Sequence, residues 1–507
     1  MQVYSNGIIV FFVMLFNSIE FLIFLPIVFA LYWFVFDFAF KGAKRQLLFQ
    51  NLFIVVVSYL FYGWWDWRFL LLIAFTSFCS WGSGLLIGRA KSHSGSPTAG
   101  KGVMILNIII NLTILVLFKY FDFFVISFSK IFAVNPNGLL INVILPVGIS
   151  FYTFQALSYS IDVYRGKVEP TYNIAAFFAY VSFFPQLVAG PIERATNLLP
   201  QFLKKRTFNS TVAIDGLRQM LWGFFKKIVI ADNCAMYVDQ VFASYSQYSG
   251  STLFLAALLF TFQIYCDFSG YSDIAIGTSK MFGIRLMRNF NVPYFSRDIA
   301  EFWRRWHISL TTWFRDYIYI PLGGSRPEIP SSVKSPALYK KMIIVRNTFV
   351  IFLISGLWHG ANWTFIIWGA YHALLFMPLI LSGKNRKYLD SASWKDIPKI
   401  LLTFVLVVFG WIIFRADSMS MVFDYFAQMF SGSLLSVPWL NTRTFYLPTF
   451  AAIAVMLLVE WLTRTQEHPL QYHLRHRWLR WIVYYALIVT IFVLQPSGDV
   501  QFIYFQF

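Results

Sequence analysis

The chain has 507 residues, of which 58% are hydrophobic and only 13% are charged. Soluble domains have about twice that share of charged side chains, and disordered chains are poor in apolar residues, so this composition excludes both classes. The net charge of +18 remains to be explained. In so apolar a chain it indicates loops that face anionic lipid, and no nucleic-acid partner is expected.

Apolar stretches recur along the whole chain, and a membrane-spanning helix needs about 20 mostly apolar residues. The stretches lie at 15–36, 47–62, 69–88, 103–127, 139–159, 172–192, 212–231, 252–266, 343–358, 362–382, 398–415, 446–463 and 479–495. We expect roughly 10–12 crossings. The short stretches 252–266 and 343–358 are predicted to be re-entrant or covered by neighbouring helices. The predicted fold is therefore all-α and polytopic.

Basic residues alternate between successive loops of the N-terminal part. The loops 41–46 and 89–101 carry the basic residues Lys41, Lys44, Arg45, Arg89, Lys91 and Lys101. The loops 63–68 and 128–138 carry one each. Since cytoplasmic loops are enriched in Lys and Arg, this pattern places the first pair in the cytoplasm and the N-terminus outside. The arginine-rich segment 464–480 is predicted to face cytoplasmic lipid as well.

The cysteines Cys79, Cys234 and Cys266 are too scattered for a disulfide framework, and the sequence has no closely spaced Cys or His motif typical of a metal site. They are predicted to pack inside apolar helices, and no metal is expected.

The segment 263–326 is unusually polar for this chain. Its polar residues are Gln263, Asp267, Asp273, Arg285, Arg288, Arg297, Asp298, Glu301, Arg304, Arg305, His307, Arg315, Asp316 and Arg326. Apolar residues recur at helical spacing between Asp298 and Tyr319, which predicts an amphipathic helix or helix pair at the cytoplasmic interface. Pro321, Gly323 and Gly324 are expected to end it in a turn.

His359 lies in SGLWHGANW, between two apolar runs. Gly356 and Gly360 permit a close backbone approach or a local break. A histidine at membrane depth suggests function, and its ordinary pKa of about 6.5 suits a general base. The alternative is a structural histidine that is hydrogen-bonded across helices. His307, in WRRWHIS, either lines a reaction chamber or is a hydrogen-bonded interfacial residue.

Three further positions have both a structural and a functional interpretation. His372 follows His359 by 13 residues, and on a continuous helix it would point roughly 140° away, so it is predicted to be structural or supporting. Asp267 and Asp273 are either proton-relay carboxylates of a transporter or structural carboxylates in a helix broken by glycine. The adjacent Glu193 and Arg194 are expected to form an ion pair or an interface anchor.

Several segments together resemble the membrane-bound O-acyltransferase (MBOAT) family, and most closely its alginate O-acetyltransferase subunit I type. The similar segments are FWRRWHISLTTWFRDYIYIPLGG (302–324), GLWHGANWTFIIWGAYH (356–372), LPVGISFYTFQALSYSIDVYRG (145–166), FFPQLVAGPIER (183–194), YCDFSGYSDIAIG (265–277), MLFNSIEFLIFLPIVFALYW (14–33) and QFIYFQF (501–507). The resemblance therefore covers nearly the whole chain. The 13 residues before Met14 depart from it and suggest an extension or a misassigned start.

The resemblance implies that an acyl group, in the first instance acetyl, passes from a cytoplasmic thioester to a hydroxyl of an exported polysaccharide such as alginate. His359 would be the catalytic residue and His307 the second residue of the pair. The donor would be acetyl-CoA or an acyl carrier used as co-substrate, with no bound cofactor. Expected donor-binding or supporting residues are Arg304, Arg305, Arg315, Asp316, Trp358, Asn362 and Asp267, of which Trp358, Asn362 and His307 are the candidate oxyanion stabilisers.

The resemblance also implies a bacterial inner-membrane protein with a central pore and an extracytoplasmic acetyltransferase as partner. One membrane domain, 1–507, is expected, with N-terminal helices in 15–200, a catalytic core in 201–382 and C-terminal helices in 383–507. Residues alone leave a polytopic transporter or flippase open, with Asp267 and Asp273 as coupling carboxylates. A non-catalytic scaffold and a D-alanyl transferase of a cell-wall polymer are further alternatives.

Overall fold

The computed structural model describes residues 2–3, 9–10, 14–36, 39–40, 42, 45–96, 98–383, 388, 391–439, 443–471, 476–496, 500 and 502–503. Side chains are described except at 2–3, 9–10, 36 and 443–445. Several charges that were used to orient the chain, among them Lys41 and Lys44, and most of 501–507 lie outside these residues. The fold is helical, apart from a short antiparallel ladder of β1 (Gln2–Val3) and β2 (Ile9–Val10).

The first part of the chain contains α1 (Ile19–Ala30, continued by a π-helical turn to Phe36), α2 (Gln46–Gly63), α3 (Arg68–Ser94), α4 (Lys101–Leu115), α5 (Phe121–Phe132), α6 (Ile149–Tyr164), α7 (Ile174–Ser182), α8 (Phe184–Leu187) and α9 (Ala195–Phe202). The remainder contains α10 (Ser210–Phe224, continued by a π-helical turn to Ala231), α11 (Asp232–Ala243), α12 (Gly250–Met281), α13 (Ile299–Arg305), α14 (Ile308–Phe314), α15 (Pro336–His359), α16 (Trp363–Leu381), α17 (Ile397–Arg415), α18 (Met419–Met429), α19 (Arg443–Leu462) and α20 (Arg477–Leu494).

Backbone contacts divide the chain into two compact units. The first comprises residues 1–220 and 274–287, and the second comprises 221–273 and 288–507. Because α10 and α12 cross these limits, each contributes residues to both units. The expected division at 200 and 382 stays a prediction.

Polar contacts between apolar helices hold the first unit together. The Oγ atoms of Ser83 on α3 and Ser160 on α6 lie 2.7 Å apart. Asn107 of α4 donates to the same Ser160 hydroxyl over 2.7 Å, and Asn111 donates to Asn107 Oδ1 over 3.1 Å. Small polar side chains bind helices together in this way where the surroundings are as apolar as the helices themselves.

Eight helices in the described part of the chain are long and apolar enough to cross a membrane. They cover Gln46–Gly63, Arg68–Ser94, Lys101–Phe132, Gly250–Met281, Pro336–His359, Trp363–Leu381, Trp394–Arg415 and Arg477–Leu494. Two shorter apolar helices lie at Ile19–Val35 and Tyr446–Leu462. With these two included, the described helices reach the lower end of the expected number.

The structure corrects several predicted spans. The stretches 252–266 and 343–358 were predicted to be re-entrant or covered by neighbouring helices. Both belong to longer helices, α12 with 32 residues and α15 with 24, and α12 is mostly buried, as the second alternative predicts. The predicted stretch 139–159 begins late, because α6 starts only after Gly148, whose φ is +73°. The stretch 172–192 is divided into the short α7 and α8, with Pro185 in the first turn of α8.

Two glycines bring α15 and α16 into close contact. A Cβ atom added at Gly356 would lie 2.1 Å from the carbonyl oxygen of Phe365, and one added at Gly369 would lie 2.1 Å from that of Phe352. Only a residue without a side chain fits such an approach between helix backbones. This contact fixes the end of α15, where His359 is the last helical residue.

Candidate functional site

The predicted amphipathic segment is a pair of short helices that meet at His307. Asp298 caps α13, and its side chain accepts a hydrogen bond from the backbone N–H of Glu301. His307 precedes α14 with φ at +42°, a left-handed conformation that is unfavourable for a residue other than glycine. The turn predicted at Pro321 is present, with positive φ at Gly323 and Gly324. The prediction of a helix pair is thus confirmed, and His307 lies at the joint between the two helices in a strained backbone conformation.

Asn289 supports the joint between these helices. Its backbone oxygen accepts the N–H of Ile308 over 2.8 Å. Its side-chain Oδ1 lies 3.1 Å from Nδ1 of His307 and accepts the hydroxyl of Ser309 over 2.9 Å. Asn289 is fully buried and His307 is 1% exposed. The imidazole is therefore held in position through one ring nitrogen.

His359 lies at the end of α15, where the helix breaks as predicted. The ring of Trp358 lies next to both candidate histidines, with its centroid 4.9 Å from that of His359 and 5.8 Å from that of His307. Both contacts are edge-to-face. Two histidines that are 52 positions apart in the sequence therefore share one indole. The structure brings together His307, Trp358 and His359, three of the four residues that the sequence analysis considered for the reaction centre.

Aromatic rings also cover the other sides of His359. Its imidazole packs edge-to-face on Trp368 at 5.2 Å and on Phe414 at 5.3 Å. Trp368 in turn contacts His372 at 4.9 Å. His372 was placed away from His359 on the assumption of one continuous helix, and the break after His359 makes that assumption wrong. The prediction of a supporting residue stays untested, but His372 is one ring away from His359.

The charged residues near the pair fall into two groups. Arg305 lies 2.8 Å from Glu301, which also pairs with the buried Arg297 at 3.0 Å. Arg304 is exposed, and the exposed Arg315 pairs with its neighbour Asp316 at 2.7 Å. Arg304 and Arg315 are thus accessible cations, whereas Arg305 stabilises α13.

Asn362 caps α16 at the start of the helix. Its Oδ1 accepts the N–H of Thr364 over 3.2 Å, and its amide donates to the backbone oxygen of Asp417 over 2.9 Å. Both polar atoms therefore hold the chain that follows the helix break, so the structure gives Asn362 a local structural role.

Asp267 belongs to a buried ion network in the second unit. One carboxylate oxygen lies 2.7 Å from Nζ of Lys227, which also pairs with Asp232, and the other accepts the N–H of Ile503. Asp273 pairs with Lys226 at 2.7 Å. These geometries fit the structural interpretation of both aspartates. Sequence analysis missed the two lysines, although adjacent lysines inside the apolar stretch 212–231 were a visible signal.

Glu193 lies in the first unit and is fully buried. It accepts hydrogen bonds from the N–H of Met287 over 2.5 Å and from the Asn197 amide over 2.7 Å. Burial raises the pKa of Glu193 to about 7, although these donors oppose the change. The ion pair or interface anchor expected of Glu193 and Arg194 stays a prediction, and sequence analysis did not foresee the contacts of Glu193 with Met287 and Asn197.

Burial has the opposite effect on His307, which lies outside the candidate spans. It lowers the pKa of His307 to about 3, so the imidazole is neutral at physiological pH. A neutral imidazole has one lone-pair nitrogen and one N–H, which are the groups that acid–base chemistry needs. In the described part of the chain, no group of three or more His, Cys, Asp and Glu side chains could hold a metal ion.

The model of the membrane-bound O-acyltransferase family matches residues 168–422, which include both histidines and Trp358. The chain belongs to this family. It is 41% identical to the probable alginate O-acetylase AlgI of Pseudomonas aeruginosa over 434 residues, which are 84% of this chain and 77% of that protein. It is 33% identical to the peptidoglycan O-acetyltransferase of Helicobacter pylori, with 98% of each chain covered. The teichoic acid D-alanyltransferase of Bacillus subtilis is 29% identical, over 66% of this chain and 81% of that protein.

Membership of the MBOAT family makes this chain a multi-pass membrane O-acyltransferase. The three-ring arrangement of His307, Trp358 and His359 lies inside the matched region. Sequence analysis missed Asn289, and only its position in the polar segment before WRRWHIS hinted at a role.

Proposed function

We propose that this protein O-acetylates an exported polysaccharide, with a cytoplasmic acyl thioester as donor. Both named acetyl-transferring relatives are at least 33% identical to this chain, which favours acetyl over D-alanyl. The proposal also includes an inner-membrane location, an N-terminus outside, a pore for the acyl group and an extracytoplasmic acetyltransferase as partner.

The observation that carries the proposal is the contact of one indole with two buried imidazoles. Acyl transfer requires a base next to the attacking hydroxyl and a thioester held in line with it. In our proposal His359 is the base. The hydroxyl oxygen forms a bond to the acyl carbon, its proton moves to His359, and the C–S bond breaks. The imidazolium then returns the proton to the leaving thiolate, which departs as the thiol.

The tetrahedral intermediate needs a donor for its oxygen. Trp358 is our candidate, because its indole carries an N–H and lies beside both histidines. The amide of Asn362 is a weaker candidate, since it donates to the backbone of Asp417.

The accessible arginines are proposed to guide the donor. Coenzyme A and phosphopantetheine carriers are anionic, and exposed cations raise the rate at which anions encounter a site. Arg304 and Arg315 are exposed on the helix pair that carries His307. Neutralising them is expected to raise the KM for the donor and to leave kcat largely unchanged.

The test is acyl transfer by purified His359→Ala, with His93→Ala as the matched control because His93 lies exposed at the end of α3. We expect His359→Ala to lose about 10²–10⁴-fold in kcat, the usual contribution of a general base, and His93→Ala to match the wild type. Thermal unfolding must first show that both variants are folded. A folded His359→Ala protein with undiminished transfer would contradict the proposal.

A further inference from the structure

We propose that Asn289 is a positioning residue that keeps His307 in the tautomer protonated at Nδ1, so that Nε2 is the hydrogen-bond acceptor at the reaction centre. This inference rests on the proposed function, since it assigns a role to His307 in the same acyl transfer. It concerns a side chain 18 positions earlier in the sequence, in the segment before α13.

The orientation of the Asn289 amide is fixed by its neighbours. A backbone N–H can only donate, and that of Ser309 lies 3.3 Å from the side-chain atom assigned as Oδ1. The Ser309 hydroxyl donates to the same atom over 2.9 Å. On the other side of the amide, Nδ2 donates to the Ser272 hydroxyl over 3.1 Å. The atom that faces His307 is therefore the oxygen.

The tautomer of His307 follows from that orientation. Nδ1 lies 3.1 Å from an atom that can only accept, so it must carry a proton to make this contact favourable. The Ser309 hydroxyl lies 3.4 Å from Nδ1 and already donates to Asn289 over the shorter distance. Burial keeps the imidazole neutral, and a neutral ring protonated at Nδ1 has its lone pair at Nε2.

This assignment changes what His307 can do. A neutral ring with its lone pair at Nε2 can accept a hydrogen bond from a hydroxyl or a thiol, but it cannot donate from Nε2 to an oxyanion. We therefore place His307 on the hydroxyl side of the reaction. There Nε2 accepts a hydrogen bond from a hydroxyl next to the one that attacks, which orients the acceptor while the attacking hydroxyl gives its proton to His359. The same asparagine also accepts the backbone N–H of Ile308, so it stabilises the left-handed backbone of His307 as well as its ring.

The experiment compares Asn289→Leu with Asn289→Asp. Asn289→Leu removes the acceptor and is expected to lower kcat by about 10- to 100-fold, the loss typical when a partner that orients a metal-bound histidine is removed. Asn289→Asp keeps the acceptor and adds a negative charge, which raises the pKa of His307. Its activity should therefore approach that of the wild type at high pH and fall at a higher pH than the wild type as the solution is acidified.

Asn111→Leu is the matched control for the loss of a buried, hydrogen-bonded asparagine, because Asn111 is fully buried on α4 in the first unit. It should lose stability and keep its kcat. If Asn289→Leu keeps a kcat within threefold of the wild type, the positioning role is wrong. Equal losses in both Asn289 variants at every pH would also contradict it, since a merely structural role predicts that result.

A measurement without activity separates this inference from the proposed function. In protein labelled with ¹⁵N-histidine, the signals that disappear in His307→Gln belong to His307, and their chemical shifts report which nitrogen carries the proton. We expect a protonated Nδ1 and an unprotonated Nε2. The reverse tautomer would overturn the inference whatever the outcome for His359→Ala. If the wild-type protein shows the expected tautomer but transfers no acyl group from a thioester, only the proposed function is overturned.

Discussion

Substitution of Gly356 by alanine tests whether the contact between α15 and α16 sets the position of His359. The added Cβ would lie 2.1 Å from the Phe365 oxygen, 2.9 Å from the Phe365 carbonyl carbon and 3.3 Å from Cα of Ile366. Since ordinary van der Waals contact begins near 3.4 Å, the two backbones must separate locally by about 1 Å or more. Gly356 is three residues before His359, so the movement occurs within one helical turn of the histidine.

A misplacement of about 1 Å costs roughly 10²-fold in a reaction that depends on alignment. We therefore expect Gly356→Ala to lower kcat/KM by about that factor. Strain in the packed hairpin should also destabilise the fold by about 1–3 kcal/mol. The assay is acyl transfer by protein in lipid nanodiscs, normalised to the folded fraction from thermal unfolding.

Gly102→Ala provides the control, because Gly102 is also helical and a Cβ there meets nothing within 4 Å. A methyl group at such a position is expected to stabilise the helix by about 0.5–1 kcal/mol. If Gly356→Ala has wild-type activity and stability, the glycine contact does not position His359, and the reasoning from backbone approach is refuted.

Three further perturbations test other parts of the structure. Trp358→Phe keeps a ring beside both histidines but removes the N–H. If the indole stabilises the oxyanion, kcat should fall by about 10²–10³-fold with KM little changed. An unchanged kcat would show that Trp358 only packs against the histidines. Asp267→Asn should lower the unfolding temperature, because it weakens a buried ion pair with Lys227. Acyl transfer per folded molecule should stay within a few fold of the wild type. Loss of activity without loss of stability would instead favour Asp267 as the coupling carboxylate of a transporter. The pKa of Glu193 in the folded protein is raised to about 7, so the protein should become less stable as pH rises from about 4.5 through 7, because the charged carboxylate must then be buried. The loss is on the order of 3 kcal/mol. Unfolding scans of Glu193→Gln should show a flatter dependence of stability on pH.

Local features of the site were predictable from sequence because they depend on neighbouring residues. The helix pair between Asp298 and Tyr319 follows from the spacing of its aromatic residues, and the break after His359 follows from Gly356 and Gly360. The ends of the spanning helices were not predictable in the same way. The apolar stretch 252–266 stops just before Asp267, whose carboxylate would be costly if it were isolated among apolar residues.

Distant pairing explains why that boundary was wrong. Lys227 and Lys226 neutralise Asp267 and Asp273, so α12 continues through both carboxylates to Met281. The lysines and aspartates are about 40 or more positions apart in the chain, and no local pattern reports their contact. Asn289 was missed for a similar reason, since its importance appears only when its amide lies against His307.

The aromatic residues around His359 suit the chemistry proposed for this site. Rings from α15, α16 and α17 surround His359 with Trp358, Trp368 and Phe414. An acyl thioester that meets water before its acceptor can be lost by hydrolysis, and excluding water prevents that side reaction. Aromatic rings exclude water and contain no nucleophile, whereas serine or lysine side chains at these positions could attack the thioester themselves. Burial also keeps His307 neutral, so the site can hold a hydrogen-bond acceptor at physiological pH without burying a charge.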